Sequence, residues 1–177
     1  ATGGLVTQAD IAARSDGLVS LAVVHESNLG SNLYEISYAT ADLFAATGGA
    51  SGTLTTVNYT SVDSAASATK AHVSIAVDDL DGAVLSWQDT DALGLGVYAR
   101  QFDFSGNALS GIVPVNAFTD NLQYLPSLSV AGQQAQIVWN GEGATDTNAT
   151  WLKSFDLASP GFRFTLLAHG TNEDGNG

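Results

Sequence analysis

The chain has 177 residues, 45% of them hydrophobic and 13% charged, and its 18 acidic side chains against 5 basic leave a net charge of −13. That length and apolar content suffice for one domain with a sizeable core, and no apolar run approaches the ~18 residues that span a bilayer, so neither a disordered nor a membrane-inserted chain is expected. The negative field repels phosphate backbones, which argues against nucleic acid as a partner; the absence of cysteine excludes a disulfide scaffold, a thiolate metal site and a cysteine nucleophile.

Three copies of one unit follow in chain order. The first, residues 1–69, reads ADIAARSDGLVSLAVVHES from Ala9 and NLYEISYATADL from Asn32. Its predicted strands carry Ile11 and Ala13, then Leu21, Val23 and His25, then Tyr34 and Tyr38, then Thr53 to Tyr59, with a turn at Ser15-Asp16-Gly17. Residues 61–70 (SVDSAASATK) read as the loop between units, with room for a helical turn.

The second copy, residues 70–123, reads AHVSIAVDDLDGAVLSWQDT and then GVYARQFDFSG. Strands are expected around Val73 and Ile75, over Ala83, Leu85 and Trp87, over Tyr98 to Phe102, and from Ile112 to Ala117. Turns fall at Leu80-Asp81-Gly82 and Ser105-Gly106-Asn107. The third copy, residues 124–177, reads PSLSVAGQQAQIVWNGE and ATWLKSFDLASPG, with strands at Leu128 and Val130, Ala135 to Trp139, Trp151 to Phe155, and Phe162 to His169.

Period-two alternation rich in Val, Ile and Trp signals strands. Aligned on that alternation, Trp87 and Trp139 are equivalent, 52 residues apart, and His25 takes the same place 62 residues before Trp87. In the first strand Ile11, Val73 and Leu128 are set equivalent, as are Ala13, Ile75 and Val130. In the third strand the aromatics Tyr34 and Tyr38, Tyr98 and Phe102, and Trp151 and Phe155 stand four apart, hence on one face and about 13 Å from each other. Ile36, Arg100 and Lys153 sit between them, with stems long enough to lie between the rings. The expected fold is all-β: three propeller-blade-like, four-stranded antiparallel repeats, with a β-sandwich as the alternative. Three blades are fewer than a closed ring uses, so other copies or neighbouring repeats of the same protein are the expected partners.

The residues Trp87, Gln88, Gly96, Val97, Tyr98, Ala99, Arg100, Phe102, Asp103, Val115 and Asn116 form a pattern that resembles the tandem repeats of large, calcium-associated bacterial exoproteins and adhesins. In those repeats a valine run leads into Trp-Gln, then a Gly/Asp-rich loop, Val-Tyr-Ala-Gln-Arg-Phe-Asp and Val-Asn-Thr. The match is best over the second copy and extends over most of the chain. The resemblance implies a secreted or cell-surface protein, with calcium as a possible cofactor.

Hard cations take several oxygen ligands, and a glycine turn lets alternate carboxylates converge. The metal candidates are therefore Asp78, Asp79 and Asp81 before Gly82, with Asp89 and Asp91 after Trp87 as further members. Each is weighed against a plain turn or loop cap. No Gly-x-Ser-x-Gly elbow, phosphate loop or His-Glu-x-x-His occurs, and none of the three histidines has metal-ligand spacing. No catalytic residue is expected. The reading is a non-enzymatic structural or adhesive module; a carbohydrate-binding, lectin-like domain and an accessory domain of a secreted hydrolase are the alternatives.

Overall fold

The computed structural model describes residues 4–42, 59–78, 82–117, 121–143, 148–157 and 163–170, the last span as backbone. These residues contain twelve strands and no helix. β1 (Val6–Ala13), β2 (Leu18–Glu26), β3 (Tyr34–Asp42) and β4 (Thr60–Ser67) form a first antiparallel sheet in that order. β5 (Ala71–Val77), β6 (Ala83–Thr90), β7 (Gly94–Phe102) and the two-residue β8 (Val113–Pro114) form a second. β9 (Asn121–Ala131), β10 (Gln134–Gly141), β11 (Ala149–Asp156) and β12 (Arg163–Gly170) form a third. A short parallel pairing, Gly94 with Asn121 and Leu95 with Leu122, joins the second sheet to the third. The fold is all-β with three propeller-blade-like sheets in series.

Every hairpin needs a residue that turns the chain without strain. Gly82 does this at the start of β6: its φ is 129°, and a Cβ there would sit 2.0 Å from the Phe102 carbonyl oxygen. The two partners in that turn, Leu80 and Asp81, lie outside the described residues.

The sheets pack face to face, and alternation puts each strand's odd and even side chains into different seams. Ala83, Leu85, Trp87 and Phe102 look back to the first sheet and meet Ala22, Val24, Ile36, Tyr38 and Val62. Val84, Val97, Ala99 and Val115, on the other face, meet Ala135, Ile137, Trp139, Trp151 and Phe155 of the third sheet. Trp87 (0% exposed) and Trp139 (4%) are thus equivalent, each on the face that looks back. Burying rings of this size is worth about 1.5–3 kcal/mol each, which makes the two seams the main store of stability.

Three expectations need correction. Residues 61–70 are largely strand, not loop: β4 runs Thr60–Ser67 and buries Val62 fully between the first two sheets. Its small polar residues hide the alternation, which pairing with β3 supplies. The proposed strand from Thr53 lies outside the described residues except for Tyr59, which precedes β4.

The first-strand register is also shifted. Ala9 pairs with Val23, Ile75 with Leu85 and Leu128 with Ile137, so Ala9, Ile75 and Leu128 share a rung, in place of Ile11, Val73 and Leu128. A slip by an even number of residues keeps the face, so Val73 and Ile75, and Leu128 and Val130, still pack against a seam, whereas Ile11 on the corresponding face of β1 is 63% exposed and Ala12 is the β1 residue that packs on the core.

The third-strand slip is odd and does flip the face. Tyr98 pairs with Trp87 and Trp151 with Trp139, but Tyr34 pairs with Glu26 and His25 with Glu35. Tyr34, Ile36 and Tyr38 therefore point forward into the second sheet, while Tyr98 and Phe102, like Trp151 and Phe155, point back. On the first sheet the backward-facing equivalents are Glu35, Ser37 and Ala39.

Candidate functional site at the seams between sheets

With 5 basic side chains against 18 acidic, where the chain places its cations is informative. The side chains of four are described, and all four bridge consecutive sheets. Arg14, in the β1–β2 turn, lies over the Phe104 ring after β7, its guanidinium carbon 4.2 Å from the ring centroid. Arg100, between the rings of β7, donates through Nη1 to the Val62 carbonyl of β4 and through Nε to Ser110 O at 3.2 Å. Lys153, at the same place on β11, donates from Nζ to the Val115 carbonyl of the second sheet at 2.7 Å. Both cations stay near the ring that follows, 5.2 Å from the Phe102 centroid and 5.7 Å from that of Phe155. Burial pushes the Lys153 ammonium below its ordinary pKa.

Lys70 is the fourth. It follows β4, its side chain is fully buried, and its Nζ lies 3.0 Å from Asp63 Oδ2 and 2.5 Å from Asp89 Oδ2. The same ammonium donates to Ala65 O, so its three hydrogens have three acceptors. Asp63 belongs to β4 and Asp89 to β6, so one buried cation ties the first sheet to the second. Thr69 Oγ1 adds a bond to Asp89 Oδ1 at 3.0 Å, and Thr90 N donates to the same oxygen at 2.7 Å. Burial alone would raise the Asp89 carboxyl; the Lys70 ammonium, then the Ser67 hydroxyl and the Thr90 amide, outweigh it and hold the group below its ordinary value of 3.8. Tyr98 goes the other way: burial first, then Asp91, Asp89 and Asp63, push its phenol up.

Of the aspartates read as metal candidates, Asp89 thus faces Lys70. Asp91 caps the β6–β7 turn, its Oδ1 accepting Leu93 N at 3.0 Å and Gly94 N at 2.9 Å. Asp78 closes the β5–β6 turn through its backbone amide, bonded to Gly82 O at 3.1 Å; Asp79 and Asp81 lie outside the described residues. Among the described residues no group of three or more His, Asp or Glu side chains forms an arrangement that could hold a metal ion.

His25 is half-buried on the backward face of the first sheet. Its Nε2 meets Ser37 Oγ at 2.8 Å and its Nδ1 the Glu26 carbonyl at 3.1 Å, so both ring nitrogens are engaged within the sheet. The aromatic stripe is core and not display: Tyr38, Phe102 and Phe155 are fully buried, and Tyr38 packs on Phe102 with centroids 5.1 Å apart. Buried amides complete the seams. Gln123 Oε1 accepts the Trp139 indole N–H at 2.8 Å while its Nε2 donates to Glu142 O at 2.6 Å. Asn116 Oδ1 accepts Val97 N at 2.8 Å.

Sequence reasoning did not find Lys70, which it left in a loop, nor its partner Asp63. The available signal was scarcity: a lysine in a chain with so few cations is a candidate for pairing wherever it falls.

No protein-family model matches the chain, and no curated protein matches it in sequence. Among solved structures it is similar to the GH43 endo-arabinanase from Bacillus licheniformis, at a TM-score of 0.45 and 14% identity over 94% of this chain and 61% of that one. The chain spans less than two thirds of that enzyme's length.

Proposed function

We propose that the chain is a non-enzymatic structural or adhesive module of a secreted or surface-displayed bacterial protein. The observation that carries this reading is the use of its cations. All four described basic side chains are spent on fastening one sheet to the next, which leaves a chain of net charge −13 with no described cation free for an anionic partner. A surface of one sign keeps repeated modules apart and soluble while the seams hold each together. The resemblance of the second repeat to tandem repeats of bacterial exoproteins points the same way.

The test is a paired panel on the intact chain, with binding measured on arrays of glycans and extracellular proteins, and turnover measured on ester, glycoside and peptide substrates. The reading expects no turnover on any substrate. Turnover that one substitution abolishes overturns it, and selective retention of one glycan class moves the chain to the carbohydrate-binding alternative.

A further inference from the structure

The two seams are fastened at matching places by different chemistry. Ile75 and Leu128 share a rung on the first strands of the second and third sheets, and the backbone amide of each is taken up by a side chain of the sheet before it. Across the first seam the acceptor is the Asp10 carboxylate, its Oδ2 2.9 Å from Ile75 N. Across the second it is the Ser74 hydroxyl, its Oγ 3.2 Å from Leu128 N.

A second place repeats the contrast. The first two strands of each of these sheets are bulged opposite the tryptophan, which fixes their alignment. Beyond Trp139, Gly141 pairs with Gln123, whose amide spans the Trp139 indole and the Glu142 carbonyl. Beyond Trp87 the same two positions, one step on from the Gln88–Ala71 pair, hold Asp89 and Lys70. Where the third sheet sets a neutral amide beside glycine, the second sets an ammonium beside a carboxylate.

The difference counts in acid. Lys70 Nζ is fully buried, with Asp63 Oδ2 of the first sheet at 3.0 Å, Asp89 Oδ2 at 2.5 Å and the Ala65 carbonyl as its third acceptor. The neighbouring ionisable groups are Asp91 after β6 and Tyr98 of β7, whose phenol is raised by burial first and then by Asp91, Asp89 and Asp63. Arg100 of β7 donates to the Val62 carbonyl, one residue before Asp63. Carboxylates gain protons below about pH 4, whereas an ammonium keeps its charge. A buried ammonium stripped of its counter-charges costs far more than one lost hydrogen bond. Ser74, Gln123 and the Val115 carbonyl that receives Lys153 have no proton to gain in that range, so the second seam keeps these fasteners.

We propose that the first seam is an acid-opened joint: as pH falls below about 4, the first sheet parts from the second and bares the Trp87 face, while the second and third sheets stay docked. Asp89 fixes the sign. Burial, which alone would raise its carboxyl, is outweighed by Lys70. The group therefore stabilises the seam above its unfolded value and loses that contribution as pH falls through the folded one. The joint is a property of the seam and not of what the module binds, so it stands apart from the structural-module reading.

The probe is the intact chain labelled with fluorotryptophan, whose three indoles give three fluorine resonances, assigned through Trp87→Phe, Trp139→Phe and Trp151→Phe. Trp87 lies in the first seam, Trp139 and Trp151 in the second. Between about pH 5 and about pH 2.5 the Trp87 resonance is expected to gain the solvent isotope shift of an exposed indole, while the other two do not. In Lys70→Met, which has no buried charge to strand, the Trp87 resonance is expected to stay shielded over the same range. The combination Asp10→Ser, Lys70→Gln and Asp89→Gly, which gives the first seam the groups of the second, carries the same expectation. The joint is overturned if all three resonances of the parent chain change together, or if its Trp87 resonance stays shielded down to about pH 2.5. It is equally overturned if Lys70→Met opens at the parent's pH. If neither variant folds at neutral pH, the selectivity seen in the parent chain decides alone.

Discussion

The two equivalent tryptophans make different use of their polar edge. Trp139 donates its indole N–H to Gln123, a side chain 1% exposed, whereas the buried Trp87 Nε1 has no hydrogen-bond partner among the described residues. Replacing Trp139 by Phe orphans the Gln123 oxygen, and a buried acceptor left unpaired costs about 1–3 kcal/mol beyond the lost ring volume. Replacing Trp87 by Phe removes a donor that already lacks an acceptor. Trp139→Phe is therefore expected to destabilise more than Trp87→Phe by about 1–3 kcal/mol, read as the difference in urea midpoints at constant m-value. Equal losses would mean that the Gln123 bond contributes nothing. Both tryptophans were legible from alternation; the glutamine was not, because its partner lies across a bulged pairing that no periodicity marks.

At the scale of elements, what the sequence showed was strand content and spacing, and what it hid was facing. The four-residue interval between Tyr34 and Tyr38 reads the same as that between Tyr98 and Phe102. Yet the β2–β3 hairpin pairs His25 with the residue ten positions on, Glu35, and the β6–β7 hairpin pairs Trp87 with the residue eleven on, Tyr98. That single residue sends the first stripe forward and the second back, and no local pattern encodes it. Strand β4 escaped for a different reason: Ser, Ala and Asp alternate around Val62 without apolar contrast. The seam cations follow from facing, since Arg100 and Lys153 reach a preceding sheet while Ile36, aligned with them by spacing, does not. Arg100→Ala and Lys153→Ala should each cost about 1.5–3 kcal/mol, the range for hydrogen bonds from charged donors. Lying in different seams, they should add within about 0.5 kcal/mol. Thermal melts of the two single variants and the double variant check both statements.

For the whole molecule, charge sets the response to acid. Asp89 is held below its ordinary pKa by Lys70, and Asp103 is likewise lowered: its slight burial is outweighed by bonds from the Asn107 side chain and from the Asn107, Ser105 and Gly106 amides. A carboxyl with a depressed folded pKa stabilises above its unfolded value and loses that contribution as pH falls through the folded one. Stability is therefore expected to hold at neutral pH and to decline below about pH 4. Asp89→Asn should start less stable and show a shallower acid slope. An unchanged slope would place the acid sensitivity elsewhere.

The claim on which the rest depends is that buried cations fasten the sheets in series. The direct measurement is a double-mutant cycle on Lys70 and Asp89 by urea unfolding, using Lys70→Met, Asp89→Asn and the double variant. The ammonium is fully buried and 2.5 Å from its partner across the first seam, so the pair should be coupled by about 1.5–3 kcal/mol. A coupling below about 0.5 kcal/mol, the level of an exposed surface pair, would contradict the account.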